Sequence, residues 1–266
     1  MPNYYNQKII WITGASSGIG QALAIEANSR GATIILSGRN QIKLAVTQDK
    51  LKFPLESIIV PMDLSDEQSI QMALKQVQQR VNRIDILINN AGVSQRSLIL
   101  DTDIEVYRNL MEVNYFGVIS LTKKVLPSML SNHAGQIVVM SSLAGKFGAP
   151  LRSGYSAAKH ALHGFFDCLR IEHFKDGIKV NLICSGFTKT NIAHNALNAK
   201  GISNNKDDRE IDKGMNPVDL SKKILDAVEN NIHESYFGGK EVLSVYLKRF
   251  FPKILFRILS KRNSSN

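Results

Sequence analysis

The sequence predicts an α/β fold, a doubly wound parallel sheet of seven strands with helices on both faces. Three observations carry this. Short runs of Ile, Val and Leu alternate with amphipathic helical stretches along the chain, and continuous apolar strands between helices belong to a parallel sheet covered on both sides. A glycine-rich turn, Thr13-Gly14-Ala15-Ser16-Ser17-Gly18-Ile19-Gly20, separates the first apolar run from an alanine-rich helix. At 266 residues, 44% of them hydrophobic, the chain suits one large core in a single domain.

The elements follow in order. Strands are predicted at Lys8–Ile12, Thr33–Ser37, Ser57–Met62, Ile84–Asn89, Gly135–Ser141, Lys179–Cys184 and Ser235–Phe237, each a short apolar run bounded by polar or turn residues. Helices are predicted between them at Gly18–Arg30, Asn40–Lys52, Asp66–Arg80, Ile104–Leu130, Ser153–Lys175 and Val218–Asn230. Ser65 with Gln68 has the spacing of a capping box for the third helix. Residues 188–216 are polar, with few large apolar side chains beyond Ile192, Leu197 and Ile202. So long a connection is expected to be a mobile lid or partly helical. The domain is expected to end near residue 241, leaving 242–266 as a tail.

Strand, glycine turn and helix together make a dinucleotide-binding signature. Gly14 allows a tight turn, Gly18 lets the backbone approach a pyrophosphate, and Gly20 lets the helix pack close to the strand. The helix N-terminus adds free N–H groups and a partial positive charge for phosphate. The end of the second strand discriminates between the two nicotinamide dinucleotides. An acidic residue there binds the ribose 2′-OH, whereas an arginine meets a 2′-phosphate. This chain reads Ser37-Gly38-Arg39. The acid is missing, a guanidinium follows, and Ser37 could add a hydroxyl, so NADP(H) is the expected cofactor.

Tyr155 and Lys159 stand four residues apart within one predicted helix, with Ser142 thirteen residues upstream. Residues i and i+4 share a helix face. A lysine ammonium beside a phenol favours the phenolate, lowering the tyrosine pKa from about 10 toward neutrality. Such a phenol can exchange protons at physiological pH. Chance alone also produces this spacing, as a half-buried tyrosine beside a solvated lysine. Ser141 is the alternative to Ser142, since one residue along a strand reverses the side chain's face.

Taken together, Thr13-Gly-x-x-x-Gly-x-Gly20, Asn89-Asn90-Ala91-Gly92, Asn114, Ser142 and Tyr155-x-x-x-Lys159 occur in an order and spacing that resemble the short-chain dehydrogenases/reductases. The likeness lies with the short single-domain branch and spans residues 7 to about 240. It implies a Rossmann fold and hydride transfer between a nicotinamide and a carbonyl/secondary-alcohol pair. By the same resemblance Tyr155 is the general acid/base and Ser142 orients the carbonyl oxygen. Lys159 lowers the tyrosine pKa and binds the nicotinamide ribose, while Asn114 holds a water in the proton path. Cofactor contacts are implied at Gly14, Ser16, Ser17, Gly18, Ile19 and Gly20, at Asp63 and Leu64 beside the adenine, at Asn90, Ala91 and Gly92, and at Gly186, Thr188 and Thr190. The family's Pro-Gly-x-x-x-Thr after the sixth strand reads Ser185-Gly186-Phe187-Thr188-Lys189-Thr190 here. Loss of the proline is expected to loosen that turn. Residues 188–216 would cover the substrate, and a homodimer or homotetramer is implied through the fourth and fifth helices. No metal is expected. A catalytically idle NADPH-binding sensor or scaffold is the different-class alternative, but it would not need Asn114, Ser142, Tyr155 and Lys159 together.

Composition narrows the rest. Cys168 and Cys184 are too few for a disulfide framework. No signal-peptide pattern opens the chain, and no run reaches the ~18 apolar residues of a spanning helix, so a cytoplasmic protein is expected. The net charge is +10, and 242–266 holds six basic residues and no acidic one. The excess therefore lies substantially in the tail, which excludes a general nucleic-acid-binding surface. Leu247, Phe250, Ile254 and Ile258 recur at helical spacing, as do Arg249, Lys253 and Arg257, with Pro252 expected to break the segment in two. A basic amphipathic tail fits two roles, lying on an anionic membrane or completing the pocket or a subunit contact. It resembles the tail of the family's member 7-like group, a pointer to lipophilic carbonyls. Leu143, Phe147 and Leu151, between Ser142 and Tyr155, point the same way.

Overall fold

In the computed structural model, residues 3–206 and 208–263 are described. The seven strands are β1 (Ile9–Thr13), β2 (Thr33–Gly38), β3 (Ser57–Pro61), β4 (Ile86–Asn89), β5 (Gly135–Ser142), β6 (Ile178–Ser185) and β7 (Glu234–Phe237). They form one sheet in the order β3-β2-β1-β4-β5-β6-β7, and every pairing is parallel. The doubly wound fold is therefore as the sequence predicts. Strand order reverses between β1 and β4, and in such sheets the crevice at the carboxyl ends of these strands is the binding position.

The period of two along each strand divides the core into two layers. Trp11, Ile35, Val60, Leu87, Ile137 and Val139 face one side. They are covered by α3 (Glu67–Gln78), α5 (Gly117–Ser131) and α6 (Ser153–Glu172). Ile10, Ile12, Ile34, Leu36, Ile88 and Val138 face the other side. There they meet α1 (Gly18–Ser29), α2 (Gln41–Gln48) and α8 (Pro217–Glu229).

Helix starts are set by side chains that satisfy free backbone N–H groups. Asn40 accepts from Lys43 N–H, Asp66 from Gln68 N–H, and Asn216 from Val218 N–H. The expected Ser65–Gln68 capping box is thus replaced by Asp66. The Ser65 hydroxyl and N–H instead both bond Asp63 Oδ1.

The single helix expected over Ile104–Leu130 is interrupted. It runs as α4 (Ile104–Met111), one wide π turn over Glu112–Phe116, and α5. Two local causes coincide there. Asn114 is fully buried, and its side-chain amide donates to the Leu110 carbonyl one turn back. Gly117 lies hard against the backbone of Leu64, where an added Cβ would sit 2.1 Å from the carbonyl oxygen. Such wide turns are frequent at functional sites.

Among its described residues, segment 188–216 carries one short helix, α7 (Arg209–Asp212), and is pinned by isolated bridges Gln95↔Leu197 and Thr188↔Met215. The tail forms α9 (Leu243–Phe250) and α10 (Pro252–Asn263), broken at Pro252. Val245 and Leu255 are buried in a third apolar cluster with Leu143, Phe147 and Cys184. Among the described residues no helix is long and apolar enough to cross a membrane.

Candidate active site

The glycine turn after β1 is shaped for a dinucleotide backbone. Gly14 has φ 66, and a Cβ there would lie 2.8 Å from Ala91 Cα; a Cβ on Gly20 would lie 2.3 Å from the Gly14 carbonyl oxygen. Neither position tolerates a side chain, so β1, the turn and α1 close on one another. The turn after β4 is fastened to them. The Thr13 hydroxyl accepts the N–H groups of Asn90 and Ala91, both at 3.0 Å, and the Asn90 side chain donates to the carbonyls of Thr13 and Gly14. Asn90 thereby sets the spacing between the two turns. Ser17 caps α1 with no side-chain hydrogen bond of its own. Its exposed hydroxyl and the first N–H groups of α1 are donors of the kind a phosphate would meet there. The residues fit a dinucleotide: the cradle has no room for Cβ atoms and is ringed with donors.

At the end of β2 the structure redistributes the predicted contacts. Ser37 is fully buried; its hydroxyl accepts from Trp11 Nε1 at 2.8 Å and donates to the Val60 carbonyl at 2.7 Å. It cannot serve a ribose phosphate. The hydroxyl that faces this position belongs to Ser16, 3.6 Å from where a Cβ on Gly38 would stand. Arg39 is exposed beside it. Asp63 holds the turn after β3 through Ser65, and Leu64 is buried in the core, so Leu64 can offer only backbone groups to an adenine. Ile19 packs against the α1 side of the sheet.

Ser142, Tyr155, Lys159 and Asn114 converge at the ends of β4 and β5. Ser142 ends β5 and its hydroxyl accepts the Ala144 N–H at 3.1 Å. Ser141, one residue earlier, points to the opposite side and pairs with His163 Nε2 at 2.9 Å. Tyr155 is in the first turn of α6 and Lys159 one turn later, both buried. Lys159 Nζ donates to the Met140 carbonyl at 2.7 Å and lies 5.8 Å from the centre of the Tyr155 ring. Gly92 bridges the group: a Cβ on it would be 2.6 Å from Asn114 Oδ1 and 3.6 Å from Lys159 Nζ. Asn114 accepts the Val93 N–H and donates to the carbonyls of Val93 and Leu110. Its side chain thus braces the 92–93 backbone against the wide turn.

Burial dominates the electrostatics. It raises the Tyr155 phenol above 10, opposed by the Ser142 hydroxyl and then by the charges of Arg152 and Arg96. Burial lowers Lys159 to about 8. The sequence pattern assigns the lowering of the tyrosine to Lys159; here the two arginines are the cations that act on it. Burial also pushes the Cys184 thiol up to about 12. His163, Cys184 and Glu234 lie within 4.8 Å of one another, but Lys146 Nζ, 2.7 Å from Glu234 Oε1, already neutralises that carboxylate.

Several residues around α6 carry no motif and are invisible to sequence reasoning. Gln95 is fully buried, and its Oε1 accepts the Gly154 N–H at 2.8 Å, the bond that anchors the first turn of α6 beside Tyr155. Its Nε2 reaches Ser97 and Thr102. Leu151 adopts φ 62, unusual for a branched side chain, and its carbonyl accepts the Ser97 N–H. Arg96 and Arg152 meet Asp208 of the 188–216 segment at 3.0 and 3.2 Å. Gln95 stands among Ser94, Arg96 and Ser97, a polar stretch that gives no sign of its burial.

The turn after β6, without its proline, is held by hydrogen bonds to the end of β7 and the segment after it. Gly186 N–H donates to the Phe237 carbonyl at 2.7 Å and Phe187 N–H to Glu241 Oε1 at 3.2 Å. Thr188 is buried, with its hydroxyl on the Gly186 carbonyl. Thr190 folds back over the glycine turn, its Cγ2 3.0 Å from where a Cβ on Gly18 would stand. The segment after β6 therefore closes over the cradle.

Comparison with known proteins agrees with this geometry. The sequence pattern of the short chain dehydrogenase family matches residues 8–201. Dehydrogenase/reductase SDR family member 7B of Xenopus laevis is 39% identical over 267 residues, covering 97% of this chain and 83% of that protein. A short chain dehydrogenase/reductase from Burkholderia phymatum, solved in complex with NAD, superposes with TM-score 0.84 at 23% identity, covering 94% of this chain and 96% of that one. An alcohol dehydrogenase from the archaeon Thermococcus sibiricus, complexed with 5-hydroxy-NADP, gives TM-score 0.75 at 23% identity, covering 88% and 97%. At such identities the structural likeness is one of fold. The chain belongs to the short chain dehydrogenase family.

Proposed function

We propose that this short chain dehydrogenase transfers a hydride between NADP(H) and a carbonyl/secondary-alcohol pair, with Tyr155 as general acid/base. The observation that carries the proposal is the meeting of Ser142, Tyr155 and Lys159 at the mouth of a cradle shaped by Gly14 and Gly20. A bound nicotinamide supplies or accepts the hydride. Ser142 orients the carbonyl oxygen by hydrogen bonding, and the buried Tyr155 phenol donates its proton to that oxygen as negative charge develops there. Lys159, lowered to about 8 by burial, replaces the proton on Tyr155 and holds the ribose hydroxyls. In alcohol oxidation the same phenol, deprotonated, is the base. Asn114 keeps Gly92 and Val93 in place beside Lys159.

The preference for NADP(H) rests on the absent acid at Gly38, the exposed guanidinium of Arg39 and the Ser16 hydroxyl between them. A lipophilic substrate is supported by an apolar cleft of ≈ 540 Å³ lined by Leu98, Ile99, Leu100, Leu151, Phe256 and Leu259. The tail thus completes the cleft with one face. Its other face exposes Phe250, Phe251, Ile254 and Ile258 beside Lys253 and Arg257, which supports peripheral contact with an anionic membrane. Exposed Ile104 and Phe116, on α4 and the wide turn, support self-association there.

Following NADPH absorbance over ketones, aldehydes, sterols and 3-oxoacyl thioesters tests the proposal. NADPH consumption with apolar carbonyls is expected, with discrimination against NADH that Arg39→Ala removes. NADPH binding without consumption on any carbonyl would favour a scaffold instead. Unchanged discrimination in Arg39→Ala would sink the cofactor assignment.

A further inference from the structure

Arg96 and Arg152 lie close enough to Tyr155 for their charges to act on its phenol. Their side chains are 12% and 19% exposed, and both contact one carboxylate oxygen, Asp208 Oδ2. The other oxygen, Oδ1, accepts the Glu210 N–H. Each guanidinium therefore makes a single-point contact, although its planar fork is built for paired ones. Arg96 also bonds the Ser94 hydroxyl and the Gln95 carbonyl, which fix its plane. For Arg152, the bond to Asp208 is the one hydrogen bond its side chain makes among the described residues, so four of about five N–H donors have no partner among those residues. Burial and the neighbouring Arg96 lower Arg152 to about 10, so its charge is poorly compensated. Glu210 also acts on it, but from an exposed position.

We propose that Arg96 and Arg152 bind an anionic group of the substrate, a carboxylate that takes the place held here by the carboxylate of Asp208. Asp208 is then a resident stand-in, carried on the 188–216 segment and displaced as substrate enters. The residues on either side of Arg152, Leu151 and Ser153, line the apolar cleft described above. A ligand filling both parts has an apolar chain in the cleft and an acid on the arginines. The substrate class is an oxo acid with an apolar chain, or the matching hydroxy acid. This rests on the hydride-transfer function proposed above, but the anion site itself can be tested without turnover.

Calorimetric titration of the full chain with decanoate and with methyl decanoate tests it, since neither is reducible. Decanoate is expected to bind about tenfold or more tighter than the ester, the range of a hydrogen bond to a charged group. Asp208→Asn removes the competing charge and should tighten decanoate several-fold while leaving the ester unchanged. The Arg96→Gln/Arg152→Gln double variant should abolish the preference for the acid, with retained ester binding showing that the cleft is intact. If that variant does not fold, the wild type and Asp208→Asn decide. Equal binding of acid and ester by the wild type, or weaker decanoate binding by Asp208→Asn, would overturn the proposal. Absence of turnover alongside acid-selective binding would reject the hydride-transfer function and leave the anion site standing.

Discussion

At the scale of single residues, the chemistry turns on what surrounds one phenol. Burial raises the Tyr155 phenol from its ordinary range, while Ser142, Arg152 and Arg96 pull against it. A proton donor must be in its acid form, so carbonyl reduction should hold across neutral pH and fall on an alkaline limb. Removing a cation raises a phenol's pKa. Arg152→Gln should therefore move the alkaline limb of kcat/KM to higher pH, and a limb that stays or moves down would refute the influence of Arg152. Tyr155 and Lys159 were legible because helical spacing puts them on one face, whereas Ser142 was legible only through the family resemblance. Arg96 was not, because it reaches Tyr155 from the loop after β4; Arg152 stands three residues before Tyr155 at the start of α6, but no motif marks it. Ser37 is a related case. Its place at the strand end is legible, but the indole N–H that claims its hydroxyl comes from Trp11 on the neighbouring strand.

At the scale of elements, the apolar runs located every strand, and the largest difference lies within one helix. The pattern over 104–130 is continuous because both flanks of the wide turn bury the same face; periodicity does not register one extra residue in a turn. Asn114 supplied the only hint, as a polar residue amid apolar ones. Capping shows a similar limit: Ser65 and Asp66 are both good caps, and the bond to Asp63 decided between them. The first turn of α6 depends on Gln95, whose Oε1 is the acceptor for Gly154 N–H. Gln95→Leu keeps the volume but orphans that buried donor, at a cost of about 1–3 kcal/mol. A lowered thermal midpoint together with a lowered kcat is expected. A loss of stability with kcat intact would show that Gln95 does not position Tyr155.

At the scale of the whole molecule, the sheet and its two layers were legible, whereas the docking of the tail was not. Helical spacing identified an amphipathic segment and Pro252 its break, but no local pattern reveals that Val245 and Leu255 pack on Phe147. Ending the chain after Val242 removes these two buried side chains, each contributing about 1.5–3 kcal/mol of burial. The truncated protein should melt at lower temperature and lose turnover of apolar substrates. It should also sediment less with anionic vesicles than the full chain; equal sedimentation would exclude a membrane role for the tail.

The central claim is that Tyr155 gives and takes the proton in a nicotinamide-dependent hydride transfer. It is tested most directly by Tyr155→Phe, with NADPH binding followed by fluorescence and turnover by NADPH absorbance on the best carbonyl substrate. The phenol oxygen is lost while the buried ring is kept. NADPH affinity close to that of the unaltered protein with turnover reduced by at least about 10²-fold is the predicted result. Turnover retained at or near the original rate would contradict the account.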